Sequence, residues 1–160
     1  MISVGEKLPV ATLLQMGADG PEGVALDARL KGRNVVVFGV PGAFTGTCST
    51  AHMPSFVRNA VALAAKGVDE IICVTVNDPF VTTAWAEATG ATGAQISVLA
   101  DADAGFSKAL GMTFTLPSLG LIDRSKRYAL YAVDGVVQVF HPEPANGCDI
   151  STGEAMLAAI

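Results

Sequence analysis

Cysteines at positions 48, 73 and 148 are the side chains of greatest chemical reach in this sequence. Their number is odd and no Cys-x-x-Cys pair occurs, which excludes a zinc ribbon and a dithiol motif. Cys48 stands apart because of what surrounds it. The segment Pro41-Gly42-Ala43-Phe44-Thr45-Gly46-Thr47-Cys48 follows the β-branched and aromatic run Asn34 to Val40, and apolar positions 53, 56, 57, 60, 61 and 64 then recur at helical spacing. A cysteine so placed opens a helix that follows a buried strand. The unpaired N–H groups and partial positive charge of a helix start favour a thiolate, which is the nucleophilic form. Thr45, in the entering turn, supplies a hydroxyl that accepts from a thiol or donates to a bound oxygen. Pro41 fixes the turn and carries no N–H, which helps to shield a pocket from water.

The other reactive side chains have plainer alternatives. His52 lies four residues after Cys48 on the same helix face, and a Cys–His pair invites a hydrolase reading. The bland alternative is a histidine at a pocket rim or in packing, with Pro54 kinking the helix beside it. Cys73 sits in the apolar run IICVTV, where a buried core thiol is the default. Cys148 lies in a polar stretch, Asn146-Gly147-Cys148-Asp149. Arg124, Lys126 and Arg127 form a small basic cluster.

These residues need elements to hold them. Asn34 to Val40 and Ile71 to Val76 read as strands buried on both faces. Asp78-Pro79 opens a helix that runs to about Ala88, with Asp at the N-cap and Pro in the first turn. Ile96 to Ala100 is a third strand, and Ala104 to Leu110 a short helix ended by Gly111. Tyr128 to Val133 and Val136 to Phe140 flank Asp134-Gly135, a strong hairpin signal. Ser151 and Glu154 have the spacing of a capping box for a final helix. The order predicts an α/β fold of thioredoxin-like arrangement, a central mixed β-sheet flanked by helices, as a single domain over 1–160.

Composition narrows the function classes. The 160 residues are 51% hydrophobic and 16% charged, with a net charge of −5. That balance describes a core-rich globule and argues against nucleic acid as the main partner. Apolar stretches fall far short of the roughly 20 residues a membrane helix requires. The first ten residues carry Glu6 and Lys7 and have no apolar signal core, so the expected compartment is cytoplasmic.

Pro41, Thr45 and Cys48 reproduce Pro-x-x-x-Thr-x-x-Cys, the active-site signature of peroxiredoxins. Over nearly its whole length the chain resembles the type II, peroxiredoxin-five-like subgroup, through VGEKLP, VPGAFTGTCSTAHMPSF, VNDPFVTTAWAEATG and DRSKRYALYAVDGVV. Gly46 stands where many members have Pro. The resemblance implies a thiol-dependent peroxidase that reduces hydrogen peroxide and organic hydroperoxides through a Cys48 sulfenic acid, with no cofactor or metal. It makes Arg127 the active-site arginine, with Arg124, His52 and Phe44 as candidate pocket residues. It implies thioredoxin, or glutathione with glutaredoxin, as reductant, and a homodimer. Cys148 and Cys73 are both candidates to resolve the sulfenic acid, an external thiol being the third option. The competing class is a peroxide sensor or redox-regulated binding module with slow turnover on the same fold.

Overall fold

Alternation along the buried strands explains the layering of this protein. A computed structural model describes residues 1–160. The third strand, β3 (Asn34–Val40), sends Val35 and Val37 to one face of the sheet and Val36, Phe38 and Val40 to the other. Two apolar clusters result, one on each face. Strands β4 (Glu70–Thr75) and β5 (Ser97–Ala100) lie parallel to β3 in the order β3-β4-β5. The first two strands, β1 (Thr12–Gly17) and β2 (Gly20–Ala25), form a hairpin that extends the β5 edge. On the other side β8 (Tyr128–Val133) pairs antiparallel with β3, and β9 (Val136–Pro142) closes the sheet. The seven-stranded sheet is therefore mixed, in the order β2-β1-β5-β4-β3-β8-β9.

Helices cover both faces, as expected. Leu26 and Leu30 of α1 (Leu26–Leu30) and Phe106 of α4 (Gly105–Ala109) join one cluster. Phe56 and Leu63 of α2 (Met53–Ala65), Trp85 of α3 (Pro79–Thr89) and Met156 of α5 (Gly153–Ala159) join the other. A separate two-stranded hairpin, β6 (Thr113–Leu116) with β7 (Leu121–Ser125), stands outside the main sheet.

Local chemistry agrees with most of the elements read from sequence. Asp78 caps α3 by accepting from Val81 N at 2.9 Å, and Gly90 ends the helix at φ 82°. Asp134 and Gly135 turn the β8–β9 hairpin with φ of 50° and 76°, the positive angles a tight hairpin turn requires. The capping box is a correction. Thr152, not Ser151, caps α5, accepting from Ala155 N at 3.1 Å, because the Ser151 hydroxyl is turned to Glu143 at 2.8 Å and Glu154 pairs with Arg58. The β1–β2 and β6–β7 hairpins were not expected. Their strands are half exposed, and β1, β2 and β7 contain Gly, Pro or Asp, which weakens the two-residue alternation. A π-turn over Cys48–His52, closed by Met53 N donating to Cys48 O, stands where the Pro54 kink was expected.

The final helix is seated on α2 by Gly153. Its N–H donates to Ser55 Oγ at 2.9 Å, and a Cβ at this position would collide with the Ser55 carbonyl. Gly153→Ala should cost about 2 kcal/mol by overpacking. Urea unfolding of the variant reads this directly, and a wild-type midpoint would mean that α5 seats some other way.

Candidate functional site

The topology gathers the site at one end of the sheet. Parallel pairing aligns the carboxyl ends of β3 and β4, with Val40 opposite Thr75. Antiparallel pairing of β8 with β3 sets Tyr128 opposite Gly39, so Arg127 arrives beside the turn that leaves β3. Pairing of β8 with β9 sets Tyr128 opposite Pro142, and Glu143 N donates to Arg127 O at 3.0 Å. The loop from Pro41 to Thr47 leads into the π-turn that carries Cys48. The carboxyl ends of strands are where open α/β sheets place their ligands.

Cys48 is buried, with 1% of its surface accessible. The Arg127 guanidinium donates from Nη2 to Cys48 Sγ at 3.3 Å and from Nη1 to His52 Nδ1 at 3.0 Å. Arg127 makes no ion pair with a carboxylate. A half-buried cation without a counter-ion retains its full field for an anion at the sulfur. Thr45 donates its hydroxyl proton to Gly42 O at 2.7 Å, which leaves the oxygen free as an acceptor. Arg124 donates from Nη1 to Pro41 O at 3.1 Å and thereby ties β7 to the loop. Phe44, at φ 60°, is a non-glycine residue in the left-handed region and is 60% exposed. The structure thus joins Cys48, Arg127 and His52 by direct hydrogen bonds and links Arg124 to Pro41.

His52 is fully buried between aromatic rings, with Phe38 edge-on at 5.0 Å and Phe56 at 5.7 Å between centroids. Burial foremost, and then the Arg127 charge, lower its pKa from 6.5 to about 3, so the ring is neutral. Nε2 lies 2.9 Å from the Ser151 carbonyl, which only a protonated nitrogen satisfies. Both ring nitrogens are therefore engaged away from Cys48. The Cys–His pairing of a hydrolase is not formed.

The three thiols are all free. Cys73 lies inside β4, between Phe38 of β3 and Val98 of β5, and burial pushes its thiol well up. Cys148 is half-buried in the irregular segment between β9 and α5, and burial raises its thiol too.

Three positioning groups escaped the sequence reading. Asn77 Oδ1 accepts from Ala43 N at 3.0 Å and from Thr75 Oγ1 at 2.6 Å. Its place just beyond a strand's carboxyl end was a usable signal. Ser49 Oγ accepts from the Trp85 indole N–H at 2.9 Å. Glu143 clamps the Cys148 segment, its carboxylate accepting from Asp149 N, Ser151 N and Ser151 Oγ at 2.7, 2.9 and 2.8 Å. Partial burial pushes the Glu143 carboxyl up, but these donors together outweigh it and hold it below 4.5. Nothing in a single sequence marks Ser49 or Glu143.

Residues 3–157 match the family model described as Redoxin. The chain is 47% identical to peroxiredoxin-2E-2, chloroplastic, of Oryza sativa subsp. japonica, covering 99% of this chain and 72% of that protein. It is 40% identical to peroxiredoxin-2E, chloroplastic, of Arabidopsis thaliana, covering 99% and 69%. The crystal structure of reduced Prx3 in complex with hydrogen peroxide from Vibrio vulnificus superposes with a TM-score of 0.94, at 44% identity and 99% coverage of both chains. The two plant relatives bear chloroplast names, which overturns the cytoplasmic expectation. That expectation rested on the first ten residues, whose Ile2, Gly5 and Leu8 amides donate to Leu110, Val137 and Gly135 of the domain.

His52 and Glu143 respond to acid in the same direction. His52 has a folded value of about 3 against 6.5, so the unfolded chain binds more protons between the two, and stability falls as pH drops through that interval. The Glu143 contribution is present above 4.5 and is lost as pH falls through its lower folded value. Urea unfolding across a pH series should show a decline that starts near pH 6.5. Glu143→Gln should remove only the acidic part of it. A flat profile from about pH 7 to about pH 5 would contradict a buried neutral His52.

Proposed function

Since the chain belongs to the redoxin family and is a thiol-dependent peroxidase, we propose that the Cys48 thiolate is its peroxidatic nucleophile and that Arg127 is the group that stabilises it. The observation that carries this reading is the 3.3 Å contact between Arg127 Nη2 and Cys48 Sγ, made by a guanidinium with no carboxylate partner. The sulfur attacks the terminal oxygen of a hydroperoxide. An S–O bond forms as the O–O bond breaks, and the leaving alkoxide or hydroxide takes a proton to become alcohol or water. Arg127 offsets the charge that spreads over sulfur and both oxygens, and Thr45 orients the peroxide from the loop. Cys48 becomes a sulfenic acid. A thiol then displaces water from it to form a disulfide, and a second thiol releases Cys48.

Between the two internal candidates, Cys148 is the better placed to resolve. Cys73 sits in a strand paired on both sides, so its exposure requires opening the sheet. Cys148 is held by a single carboxylate clamp on an irregular segment. The final reductant is thioredoxin, or glutathione with glutaredoxin. Peroxide consumption should vanish in Cys48→Ser and fall about 100-fold in Arg127→Lys, which keeps the charge and loses the fork. Mass spectrometry after one equivalent of peroxide should find a Cys48–Cys148 disulfide. A stable sulfenic acid instead assigns resolution to an external thiol, and undiminished consumption by Cys48→Ser overturns the assignment.

The same reading includes a homodimer. Phe44, Phe80, Leu119 and Ile122 are 60, 63, 68 and 55% exposed. Their segments are tied together by the Ala43–Asn77 and Arg124–Pro41 hydrogen bonds. An exposed apolar patch of this kind is covered in a stable assembly. Sedimentation equilibrium should give twice the chain mass for the wild type and the chain mass for Leu119→Glu. A monomeric wild type would remove this face as an interface.

A further inference from the structure

A single peptide unit connects Asn77 to the hydroxyl of Thr45. Residues 42 to 45 form a tight turn, closed by Thr45 N donating to Gly42 O at 3.4 Å, with Phe44 in its third position at φ 60°. The same Gly42 oxygen takes the Thr45 hydroxyl proton at 2.7 Å. That carbonyl belongs to the Gly42–Ala43 peptide, which is planar and trans, so its N–H points the opposite way. Asn77 Oδ1 accepts from this N–H at 3.0 Å. Whatever fixes the Ala43 N–H therefore fixes the direction of the Gly42 oxygen, and with it the Thr45 hydroxyl.

Asn77 is itself firmly held. Its Oδ1 also accepts from Thr75 Oγ1 at 2.6 Å, and its backbone N–H donates to Thr75 O at 3.0 Å. Thr75 is fully buried at the end of β4, paired with Val40 of β3 and Ala100 of β5. The next residue, Asp78, caps α3. The orientation of the amide is fixed by chemistry, because a backbone N–H requires an oxygen opposite it. On the loop side, a Cβ on Gly42 would crowd the Thr45 methyl, so glycine lets that side chain close onto the turn.

We propose that Asn77 is a positioning residue for peroxide reduction. Through the Gly42–Ala43 peptide it holds the Thr45 hydroxyl with its proton on Gly42 O and its lone pairs open to the O–H of a hydroperoxide. The inference rests on the roles given above to Cys48 and Thr45 and adds the residue that sets the second of them. A side chain anchored to a strand end removes orientational freedom from the loop before substrate arrives, which is how a supporting contact reaches the rate.

Stopped-flow mixing with hydrogen peroxide reads Cys48 oxidation through Trp85, the only tryptophan, whose indole N–H is bonded to Ser49 beside Cys48. Asn77→Ala should react about 10-fold more slowly than wild type, part of the roughly 100-fold that an ångström-scale misplacement costs. Thr45→Val should be slower still, and the double variant no slower than Thr45→Val alone. Losses that multiply overturn the proposal, since Asn77 would then act by a route other than Thr45. Asn77→Asp keeps an oxygen for both donors and should recover most of the loss; a rate as low as that of Asn77→Ala overturns the acceptor role. Alkylation of Cys48 by iodoacetamide has no peroxide oxygen to orient, so it should fall less than peroxide reduction in Asn77→Ala. An equal fall marks a disordered cysteine and overturns the proposal. Should Asn77→Ala not fold, Thr75→Val enters the same cycle, because it removes the donor that steadies Asn77 and leaves no N–H unpaired. The levels of the argument separate cleanly. Peroxide consumption by Cys48→Ser sinks the nucleophile, and a wild-type rate in Thr45→Val sinks the role of Thr45. With both of those inert or slow and Asn77→Ala at the wild-type rate, only the positioning role fails.

Discussion

A guanidinium fork with no carboxylate is the constraint on which this site turns. Arg127 is half-buried, its charge is unpaired, and two of its nitrogens are committed to Cys48 and His52. A cation in that position is tolerable because its surroundings supply acceptors without supplying a counter-ion. It leaves one anion unaccounted for. In the proposed role that anion is first the thiolate and then the charge developing on a peroxide.

The rest of the fold reads as a device for delivering that fork. The guanidinium of Arg127 lies just before β8 and the Cys48 sulfur beyond the end of β3, and these are neighbours only because the two strands run antiparallel. Parallel β4 brings Asn77 alongside to hold the loop amide of Ala43, and β9 brings Glu143 back to the Arg127 carbonyl. The long-range hydrogen bonds to the Pro41–Thr47 loop come from separate parts of the chain, Asn77 after β4 and Arg124 of β7. A loop with Phe44 in the left-handed region persists when its surroundings over-determine it.

One atom type appears in three environments with three consequences. The Cys48 thiol meets a cation at the mouth of the sheet. Cys73 is sealed in β4 among Val36, Phe38 and Ile71, where burial disfavours ionisation and the thiol serves as a small hydrophobe. Cys148 sits on an irregular segment whose amides converge on Glu143. The environment of each thiol is thus set by its neighbours and by backbone pairing, not by cysteine content.

Much of this was legible in the residues themselves. The run at Asn34 to Val40, the Asp78-Pro79 cap and the Asp134-Gly135 turn each carry a local physical signal, and each forms the expected element. Together with the spacing of Pro41, Thr45 and Cys48, they determined a mixed α/β sheet of thioredoxin-like order with Cys48 at a helix entry. Tertiary structure alone decided where every long-range partner falls. Ser151 lost its capping role because Glu143, eight residues back, offers its hydroxyl a carboxylate. His52 became an acceptor for Arg127, 75 positions away, and not a base for Cys48, four positions away. Local sequence encodes backbone preference and the periodicity of burial. Which donor meets which acceptor in a dry interior depends on strand register, and register is a property of the whole sheet.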